Sequence, residues 1–302
     1  MADWSVIKGT LRDLGCAYRE EEPLSAHTSF HIGGPCPVLA TPSQESQISA
    51  LIKACGRERI PFVILGKGSN LLVSDDGYDG LVIKLDHHFS DVTVREDGVM
   101  LCQAGAPLAK VCYTAYSHGL TGLEFAWGIP GSVGGAAYMN AGAYDGEMKN
   151  VLTACRHLDA QGNPGGFSSG ELDLSYRHSA YSGKDFCITQ VELALKPGEK
   201  KQIRARMDEL MARRHAKQPL EFPSAGSTFK RPQGNYASAL IDQCGLRGLR
   251  VGGAMVSEKH CGFVINAGNA TCRDVLELIG QIQTIVFEKT GYQLECEVKI
   301  LS

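Results

Sequence analysis

The stretch PFVILGKGSNL (residues 61–71) joins a short apolar run to a glycine-rich loop. The β-branched residues Val63 and Ile64 favour a strand, and Gly66-Lys67-Gly68-Ser69-Asn70 ends it. Because glycine lets the main chain approach anionic oxygens closely, the backbone N–H groups of this loop can hold a diphosphate. A plain β-turn is the alternative that the motif alone leaves open.

This loop departs from the Rossmann dinucleotide fingerprint in two ways. Leu71 stands where the fingerprint has its third glycine, and Asp75-Asp76-Gly77 predicts a turn where the fingerprint needs a helix. A dinucleotide at this loop is therefore expected to bind in another manner.

A second glycine loop begins 62 residues further on, counting from Gly66 to Gly128. It lies in Phe125–Tyr144, twenty residues without a charge, which is the length of a membrane span. Its many glycines, with Pro130 and Asn140, instead predict a loop-rich buried segment, and no membrane span is expected. The two loops together could hold a dinucleotide. The alternative for the second loop is a packed buried segment that binds no ligand.

The composition is typical of a globular protein of about two domains. The chain has 302 residues, of which 43% are apolar, and 30 basic against 33 acidic residues give a net charge of −3. With no basic excess, no nucleic-acid partner is expected. Glycine is abundant, with 35 residues, so much of the chain is predicted to form turns or close backbone approaches.

The cysteines and the N-terminus indicate a reducing compartment. Eleven cysteines form an odd set without a C-x-x-C pair, which argues against both a disulfide framework and a zinc site. Charged residues interrupt the N-terminal apolar residues, so no signal peptide is predicted. A cytoplasmic protein without a metal ion is expected.

Helical and strand periods alternate in the first two thirds of the chain. A helix is predicted from the capping sequence Thr41-Pro42-Ser43-Gln44 to Cys55-Gly56, and another from Pro107 to Gly119. A strand fits Leu81–Leu85. Strands and turns are predicted over Val151–Leu195, with the clearest turn at residues 161–166.

Lys196-Pro197-Gly198 interrupts the pattern, and the main domain boundary is placed there. Beyond it, helices are predicted over Glu199–Lys217, Asn235–Cys244 and Thr271–Lys289. A closing strand is predicted over Leu294–Ile300, on which Glu295 and Glu297 would share one face. A solvated strand face is the simplest interpretation of that pair.

Two short motifs suggest a penicillin-recognising acyl enzyme. Ser227 and Lys230 form S-x-x-K, and Lys289-Thr290-Gly291 matches K-T-G. The second match lies where a helix is predicted to stop, with Gly291 as its cap, and the nearest serine-aspartate motif precedes Ser227 instead of following it. A nucleophilic serine is therefore not expected.

Taken in order, the segments resemble the family of UDP-N-acetylenolpyruvoylglucosamine reductases, in its shorter subclass. The resemblance covers nearly the whole chain and rests on His27–Gly34, Leu65–Leu71, Gly128–Gly142, Ser175–Arg177, Ala225–Pro232, Val256–Asn266 and Leu294–Ile300. It implies an α+β protein with a vanillyl-alcohol-oxidase-type FAD-binding fold of two subdomains (1–85 and 86–198) and a C-terminal α/β substrate domain (199–302).

The resemblance assigns the two glycine loops to FAD. The cofactor-binding residues it implies are Gly66, Lys67, Gly68, Ser69, Asn70, Leu71, Gly128, Pro130, Gly131, Ser132, Gly134, Gly135, Asn140 and Gly142. NADPH is implied as the reductant, with hydride passing through flavin to the enolpyruvyl group of UDP-N-acetylglucosamine enolpyruvate.

The catalytic residues implied by the resemblance are Arg177, Ser227 and Glu297. A guanidinium stabilises the charge that develops on the substrate carboxylate, and a serine hydroxyl can protonate a carbanion. Glu297, if held protonated, can donate to the enolate oxygen. Tyr176, Lys230 and Arg231 are implied as substrate-binding residues, and Arg247, Arg250 and Lys259 are further candidates for the substrate diphosphate.

Two other functions remain open at this point. Another FAD oxidoreductase of the same fold would oxidise an alcohol with oxygen, and a flavin-free module would bind a nucleotide sugar without chemistry. Only 50 residues separate Arg177 from Ser227, which leaves little room for the insertion of longer family members. The protein is expected to act as a monomer.

Overall fold

A computed structural model describes residues 4–302, which form seven α-helices and eighteen strands. The helices are α1 (Trp4–Asp13), α2 (Glu45–Glu58), α3 (Leu108–Ser117), α4 (Val133–Tyr138), α5 (Lys200–Lys217), α6 (Ala237–Gln243) and α7 (Cys272–Thr290). Short 3₁₀ turns occupy Leu24–His27, His87–Phe89, Glu124–Ala126 and Met148–Asn150.

The strands of the first half are β1 (Ala17–Pro23), β2 (Pro35–Thr41), β3 (Phe62–Leu65), β4 (Leu71–Val73), β5 (Leu81–Lys84), β6 (Val92–Val94), β7 (Val99–Gln103), β8 (Leu120–Thr121), β9 (Gly142–Ala143) and β10 (Gly146–Glu147). Those of the second half are β11 (Leu152–Leu158), β12 (Pro164–Ser168), β13 (Cys187–Ala194), β14 (Lys196–Pro197), β15 (Arg250–Val251), β16 (Ala254–Val256), β17 (Val264–Asn266) and β18 (Lys299–Leu301).

The chain divides into two compact units, neither of which is continuous in sequence. Unit 1 contains residues 4–20, 38–67 and 80–213, and unit 2 contains residues 21–37, 68–79 and 214–302. The three-part division at residues 85 and 198 stays a prediction.

Two sheets form most of unit 1. In the first, strands run in the order β1-β2-β5-β3, with β2, β5 and β3 parallel, and buried residues of α1 and α2 complete the core. The second sheet is antiparallel in the order β12-β11-β13-β7-β6, and α4 packs against β13 and β7. This mixture of helix and sheet agrees with the expected α+β class.

Unit 2 combines the small sheet β15-β16-β17 with α6 and α7. Strand β18, at the end of the chain, pairs in parallel with β4, which follows the first glycine loop. The carboxylate of Asp75, just after β4, accepts hydrogen bonds from Cys272 N–H (2.7 Å) and Arg273 N–H (3.1 Å) at the start of α7. These contacts hold the segment after β4 to the start of α7.

The long helices of the second half follow the predictions. Helix α5 buries Ile203, Met207 and Leu210, and α7 begins at a capping box in which Thr271 and Asp274 exchange hydrogen bonds. Gly291 ends α7 in the left-handed conformation, with φ of 74°. The caps and the 3.6-residue period are therefore confirmed as reliable signals here. No helix of residues 4–302 is both long and apolar enough to cross a bilayer.

Three boundary predictions are wrong. Helix α2 begins after Gln44, which forms a capping box with Gln47, because Thr41 is still part of strand β2. The turn predicted at 161–166 begins and ends earlier. The Asp159 side chain accepts from Gln161 N–H at 2.8 Å, and strand β12 already begins at Pro164. Of the closing strand, only the last residues join a ladder, as β18, paired with β4.

The buried cysteines give a prediction about thiol reactivity. Ten of the eleven are buried and Cys296 is half-buried, and burial raises the pKa of Cys55, Cys102 and Cys155 to about 12. Since the thiolate is the reactive form, such a thiol at pH 8 is ionised in only about one molecule in 10⁴. Ellman's reagent should therefore label at most one thiol within minutes in the native protein, and all eleven after denaturation. Rapid labelling of several native thiols would contradict this.

Candidate active site

Ser227 lies in unit 2 on a short segment whose side chains alternate sharply in exposure. Ala225 and Thr228 are buried at 3% and 1%, whereas Ser227 is exposed. Gly226 between them has φ of 78°, a left-handed conformation that glycine adopts without strain. The turn at Gly226 presents the Ser227 hydroxyl to solvent while Thr228 points into the core.

Glu297 is held beside that segment by backbone hydrogen bonds. Its N–H donates to Thr228 C=O at 2.8 Å, and Lys230 N–H donates to Glu295 C=O at 2.8 Å. The bridge between Phe229 and Cys296 completes a short antiparallel pairing. The segments that carry the predicted serine and glutamate, 70 residues apart in sequence, are thus paired within unit 2.

The solvated face suggested for Glu295 and Glu297 is wrong for Glu297. Glu297 is 9% exposed, whereas the Glu295 side chain is 70% exposed and forms an ion pair with Lys230. The solvated-face interpretation therefore fits Glu295 only. The segment pairs over too few residues to behave as the regular strand predicted from its alternation.

Arg177 lies in unit 1, in a tight turn between Ser175 and His178. These two residues exchange backbone hydrogen bonds of 3.1 and 3.3 Å, and Arg177 has φ of 55°. A left-handed non-glycine residue is uncommon and is retained where the surroundings fix it. The guanidinium lies 5.0 Å from the ring centre of Tyr176, whose side chain is exposed.

The buried side chain of Asn140 holds this turn by hydrogen bonds. Its Nδ2 donates to Ser175 C=O at 2.9 Å and to the Glu147 carboxylate at 3.0 Å, and its Oδ1 accepts from Lys149 N–H at 2.9 Å. The residue is 1% exposed. The Asn140 amide supports the turn that carries Arg177, and binding of the cofactor by Asn140 stays a prediction.

The second glycine loop is only partly open for ligand binding. Gly134 N–H donates to Ala104 C=O at 2.9 Å, and Gly135 N–H donates to Ser132 Oγ at 3.3 Å. A Cβ at Gly134 would lie 2.6 Å from Ala104 Cβ, so this glycine is required by the packing of α4. Among residues 4–302, no acceptor is found for the N–H groups of Gly131 and Ser132, which stay available.

The first glycine loop has the properties of an anion cradle. Within the described part of the chain, no N–H group from Gly66 to Asn70 donates a hydrogen bond. Gly68 has φ of 61°, and a Cβ there would meet His27 C=O, so the loop keeps its path only with glycine. A row of open N–H groups fits the diphosphate of a dinucleotide.

Gly66, the first residue of the first loop, lies in unit 1 beside Ser132 of the second loop. A Cβ at Gly66 would contact Ser132 Oγ, the side chain that caps α4. The other predicted cofactor residues lie in or beside the same loops: Lys67 and Pro130 are exposed, Ser69 and Gly128 are half-buried, Leu71 begins β4, and Gly142 belongs to β9. Which of them bind a cofactor stays a prediction.

The predicted substrate-binding cations are engaged in exposed intramolecular contacts. Lys230 pairs with Glu295, Lys259 lies 3.6 Å from Glu221, and Arg231 lies 4.5 Å from the ring centre of Tyr236. Exposed pairs of this kind contribute little stability, so an anionic ligand can displace their partners. The contact between Arg231 and Tyr236 could not be predicted, because an isolated aromatic residue carries no signal in a sequence pattern.

Arg247 is held more firmly than the other candidates. It donates to the Asp242 carboxylate at 2.8 and 3.1 Å and to Glu258 C=O. The hydrogen bond from Arg247 lowers the pKa of Asp242, so the pair stays ionised at neutral pH. His260 nearby has a pKa lowered by burial, which keeps it neutral. Arg250 donates to Gly252 C=O at 3.1 Å.

Two histidine groups bear on the expectation of no metal. His27 and His31 are four residues apart, but no α-helix joins them, and His27 Nε2 lies 2.7 Å from the Glu22 carboxylate. The ligand atoms of Asp86, His87 and His88 lie within 4.8 Å of one another at the start of a 3₁₀ turn, where the Asp86 carboxylate accepts from His88 N–H. The absence of a metal ion stays a prediction.

Two parts of the chain match known protein families, and these matches define its class. Residues 36–164 match the family model of an FAD-binding domain, and residues 218–301 match that of the UDP-N-acetylenolpyruvoylglucosamine reductase C-terminal domain. With the open N–H groups described above, these matches define an FAD-dependent oxidoreductase. The expected flavin-binding fold is thereby confirmed.

Relatives over the full length establish the family. The chain is 45% identical to the UDP-N-acetylenolpyruvoylglucosamine reductase of Clostridium perfringens, over 95% of this chain and 96% of the relative, and 49% identical to that of Caldanaerobacter subterraneus, over 93% and 92%. The crystal structure of the Thermus caldophilus reductase superposes with a TM-score of 0.80 at 36% identity, covering 95% and 99%. The chain belongs to the UDP-N-acetylenolpyruvoylglucosamine reductase family.

Replacement of Gly68 by alanine tests the first loop. The new Cβ should displace the loop away from His27 C=O and move its N–H groups, so we expect FAD affinity to fall by about tenfold or more, which equals about 1.4 kcal/mol. Fluorescence titration of the apoprotein with FAD measures this.

Gly245→Ala is the matched control for Gly68→Ala. Gly245 also has a positive φ, of 76°, but nothing lies within 4 Å of a Cβ there. This control should lower stability by about 1 kcal/mol without changing FAD affinity. Equal FAD affinity in the two variants would show that the first loop is only a structural turn.

Proposed function

We propose that the protein reduces the enolpyruvyl ether of UDP-N-acetylglucosamine enolpyruvate to UDP-N-acetylmuramate with NADPH, in peptidoglycan synthesis. Family membership over the full chain supports the reaction. The observation that carries the assignment of residues is the pairing of the Ser227 segment with the Glu297 segment through Thr228 C=O. The balanced reaction consumes one NADPH and one proton.

FAD bound here would supply the hydride carrier between NADPH and the vinyl methylene carbon of the substrate. The residues proposed to hold it are those of the two glycine loops, above all the open N–H groups of Gly66 to Asn70 and of Gly131 and Ser132. A Cβ at Gly68 would contact protein backbone, which supports the view that the loop is shaped for close approach.

Arg177 is proposed to bind the substrate carboxylate. Negative charge grows on this carboxylate as the neighbouring carbon becomes carbanion-like, and a fixed guanidinium stabilises that charge more than it stabilises the ground state. The left-handed turn and the Asn140 hydrogen bond to Ser175 C=O favour a fixed position for the guanidinium. The Tyr176 ring adds a cation–π contact to the same guanidinium.

Ser227 is proposed to protonate the carbon next to the carboxylate. A serine hydroxyl is a weak acid, but a carbanion is basic enough to take its proton. The exposure of Ser227 lets solvent restore that proton after each turnover. Glu297, which is nearly buried, is proposed to polarise the carboxylate from the paired segment.

The cellular setting is proposed from the reaction. The substrate and NADPH are soluble metabolites, so we propose a cytoplasmic enzyme that acts as a monomer and serves cell wall biogenesis, cell shape and division. Lys230 and Arg231 are proposed to bind the substrate diphosphate, and no nucleic-acid partner is proposed.

Anaerobic titration tests the function itself. The purified protein reconstituted with FAD should be yellow. Its flavin absorbance at about 450 nm should disappear when NADPH is added and return when one equivalent of the enolpyruvyl substrate follows. The product should be two mass units heavier than the substrate. Reoxidation by oxygen alone, with no response to this substrate, would favour the oxidase alternative, and a failure to bind FAD would exclude both.

Ser227→Ala separates the two half-reactions. Reduction of the flavin by NADPH needs no acid at this position and should be nearly unchanged, whereas reoxidation by the substrate should slow by about 10²- to 10⁴-fold. Stopped-flow absorbance resolves the two steps. Thr284→Ala removes an exposed hydroxyl of the same unit, one that donates to Gly280 C=O within α7, and should leave both rates unchanged. Equal slowing of both steps in Ser227→Ala would contradict the proton-donor role.

A further inference from the structure

Asn70 makes two hydrogen bonds to the segment that carries Glu297. Its side-chain Nδ2 donates to Glu297 C=O at 3.3 Å, and its backbone C=O accepts from Lys299 N–H at 3.0 Å. Both residues belong to unit 2 and are 227 positions apart in sequence. Asn70 therefore forms hydrogen bonds with both peptide units that flank Val298.

The backbone of Glu297 is consequently held from two directions. Its N–H donates to Thr228 C=O, in the Ser227 segment, and its C=O accepts from Asn70 in the first glycine loop. The Thr228 peptide is fixed in turn, because Thr228 N–H donates to Gly262 C=O at 2.8 Å and Thr228 Oγ1 accepts from Val264 N–H at 2.9 Å. Of these contacts, the Asn70 amide is the only one at Glu297 that a side-chain substitution can remove.

This arrangement separates two roles within the first loop. The backbone N–H groups of Gly66 to Asn70 are open, whereas the Asn70 side chain is directed to Glu297. Asn70 was predicted from the resemblance as a cofactor ligand. Its side-chain contact indicates that the loop also sets the position of a catalytic residue.

We propose that Asn70 is a positioning residue that acts through Glu297 in the reduction of the enolpyruvyl substrate. This inference rests on the proposed function of Glu297. Removal of the amide lets the Glu297 peptide shift relative to Thr228, and a displacement of about 1 Å near reacting groups can cost about 10²-fold in rate. The step affected is substrate reduction, because NADPH oxidation does not use Glu297.

The experiment compares Asn70→Ala and Asn70→Asp with Gln283→Ala. Aspartate keeps the size of asparagine, but its carboxylate cannot donate to Glu297 C=O. Gln283 is a matched control, since its Nε2 donates to Leu294 C=O at 2.9 Å, on the same C-terminal segment but away from Glu297. With FAD saturating, reoxidation by the substrate should slow by about 10- to 10²-fold in both Asn70 variants and stay unchanged in Gln283→Ala.

A double-mutant cycle shows whether Asn70 acts through Glu297. In the Glu297→Gln background, Asn70→Ala should cause no further slowing of reoxidation, because the group it positions is gone. In the apoprotein, hydrogen exchange of residues 294–301 should accelerate in Asn70→Ala, which reports on the contact without any chemistry. Flavin reduction by NADPH should keep its wild-type rate.

The outcomes separate the two hypotheses. If Glu297→Gln leaves reoxidation unchanged, the proposed role of Glu297 is wrong. If Glu297→Gln slows reoxidation but Asn70→Ala slows it by the same factor with and without Glu297, Asn70 does not act through this residue and the positioning role is overturned. Unchanged hydrogen exchange at 294–301 in Asn70→Ala would also overturn it.

Discussion

The parallel pairing of β18 with β4 is the constraint on which the arrangement of unit 2 depends. Strand β4 starts where the first glycine loop ends, and β18 starts two residues after Glu297. The register of the β18–β4 pair therefore sets the position of the end of the first glycine loop and that of Glu297. Asp75 at the far end of β4 caps α7, so the same segment also anchors the longest helix of this unit.

A second constraint holds the Arg177 turn in unit 1. Asn140 is buried and uses both ends of its amide, toward Ser175, Glu147 and Lys149. Leaving such a group unpaired in the protein interior would cost about 1–3 kcal/mol, so the network favours one conformation of the turn. The strained backbone at Arg177 is stabilised by this network and by the hydrogen bond from Ser179 Oγ to Tyr138 C=O at 2.5 Å.

Periodicity and capping residues predicted the long helices well because those signals are local. Helix α7 needs only Thr271, Asp274 and Gly291 to define both ends. The 294–301 segment was predicted wrongly because its partners lie in two distant places, Thr228 and Asn70, and pairing with them leaves only Lys299–Leu301 as a regular strand. The residue types of the site were predicted through the family resemblance, but the supporting contacts of Asn140 and Asn70 could not be, since hydrogen bonds across 35 and 227 positions leave no pattern in one sequence.

Glycine content alone does not distinguish a loop that binds a ligand from a loop that is packed inside the protein. The two are distinguished by whether their N–H groups have acceptors within the protein. At Gly134 the N–H is bonded to Ala104 and a Cβ would collide with that residue, so the glycine is explained by packing. In the loop from Gly66 to Asn70, the N–H groups have no acceptor in residues 4–302 while the carbonyls of Gly68 and Asn70 accept from Ser29 and Lys299. A loop fixed through its carbonyls keeps its donors free, and this asymmetry favours the binding of an anion over the role of a simple turn.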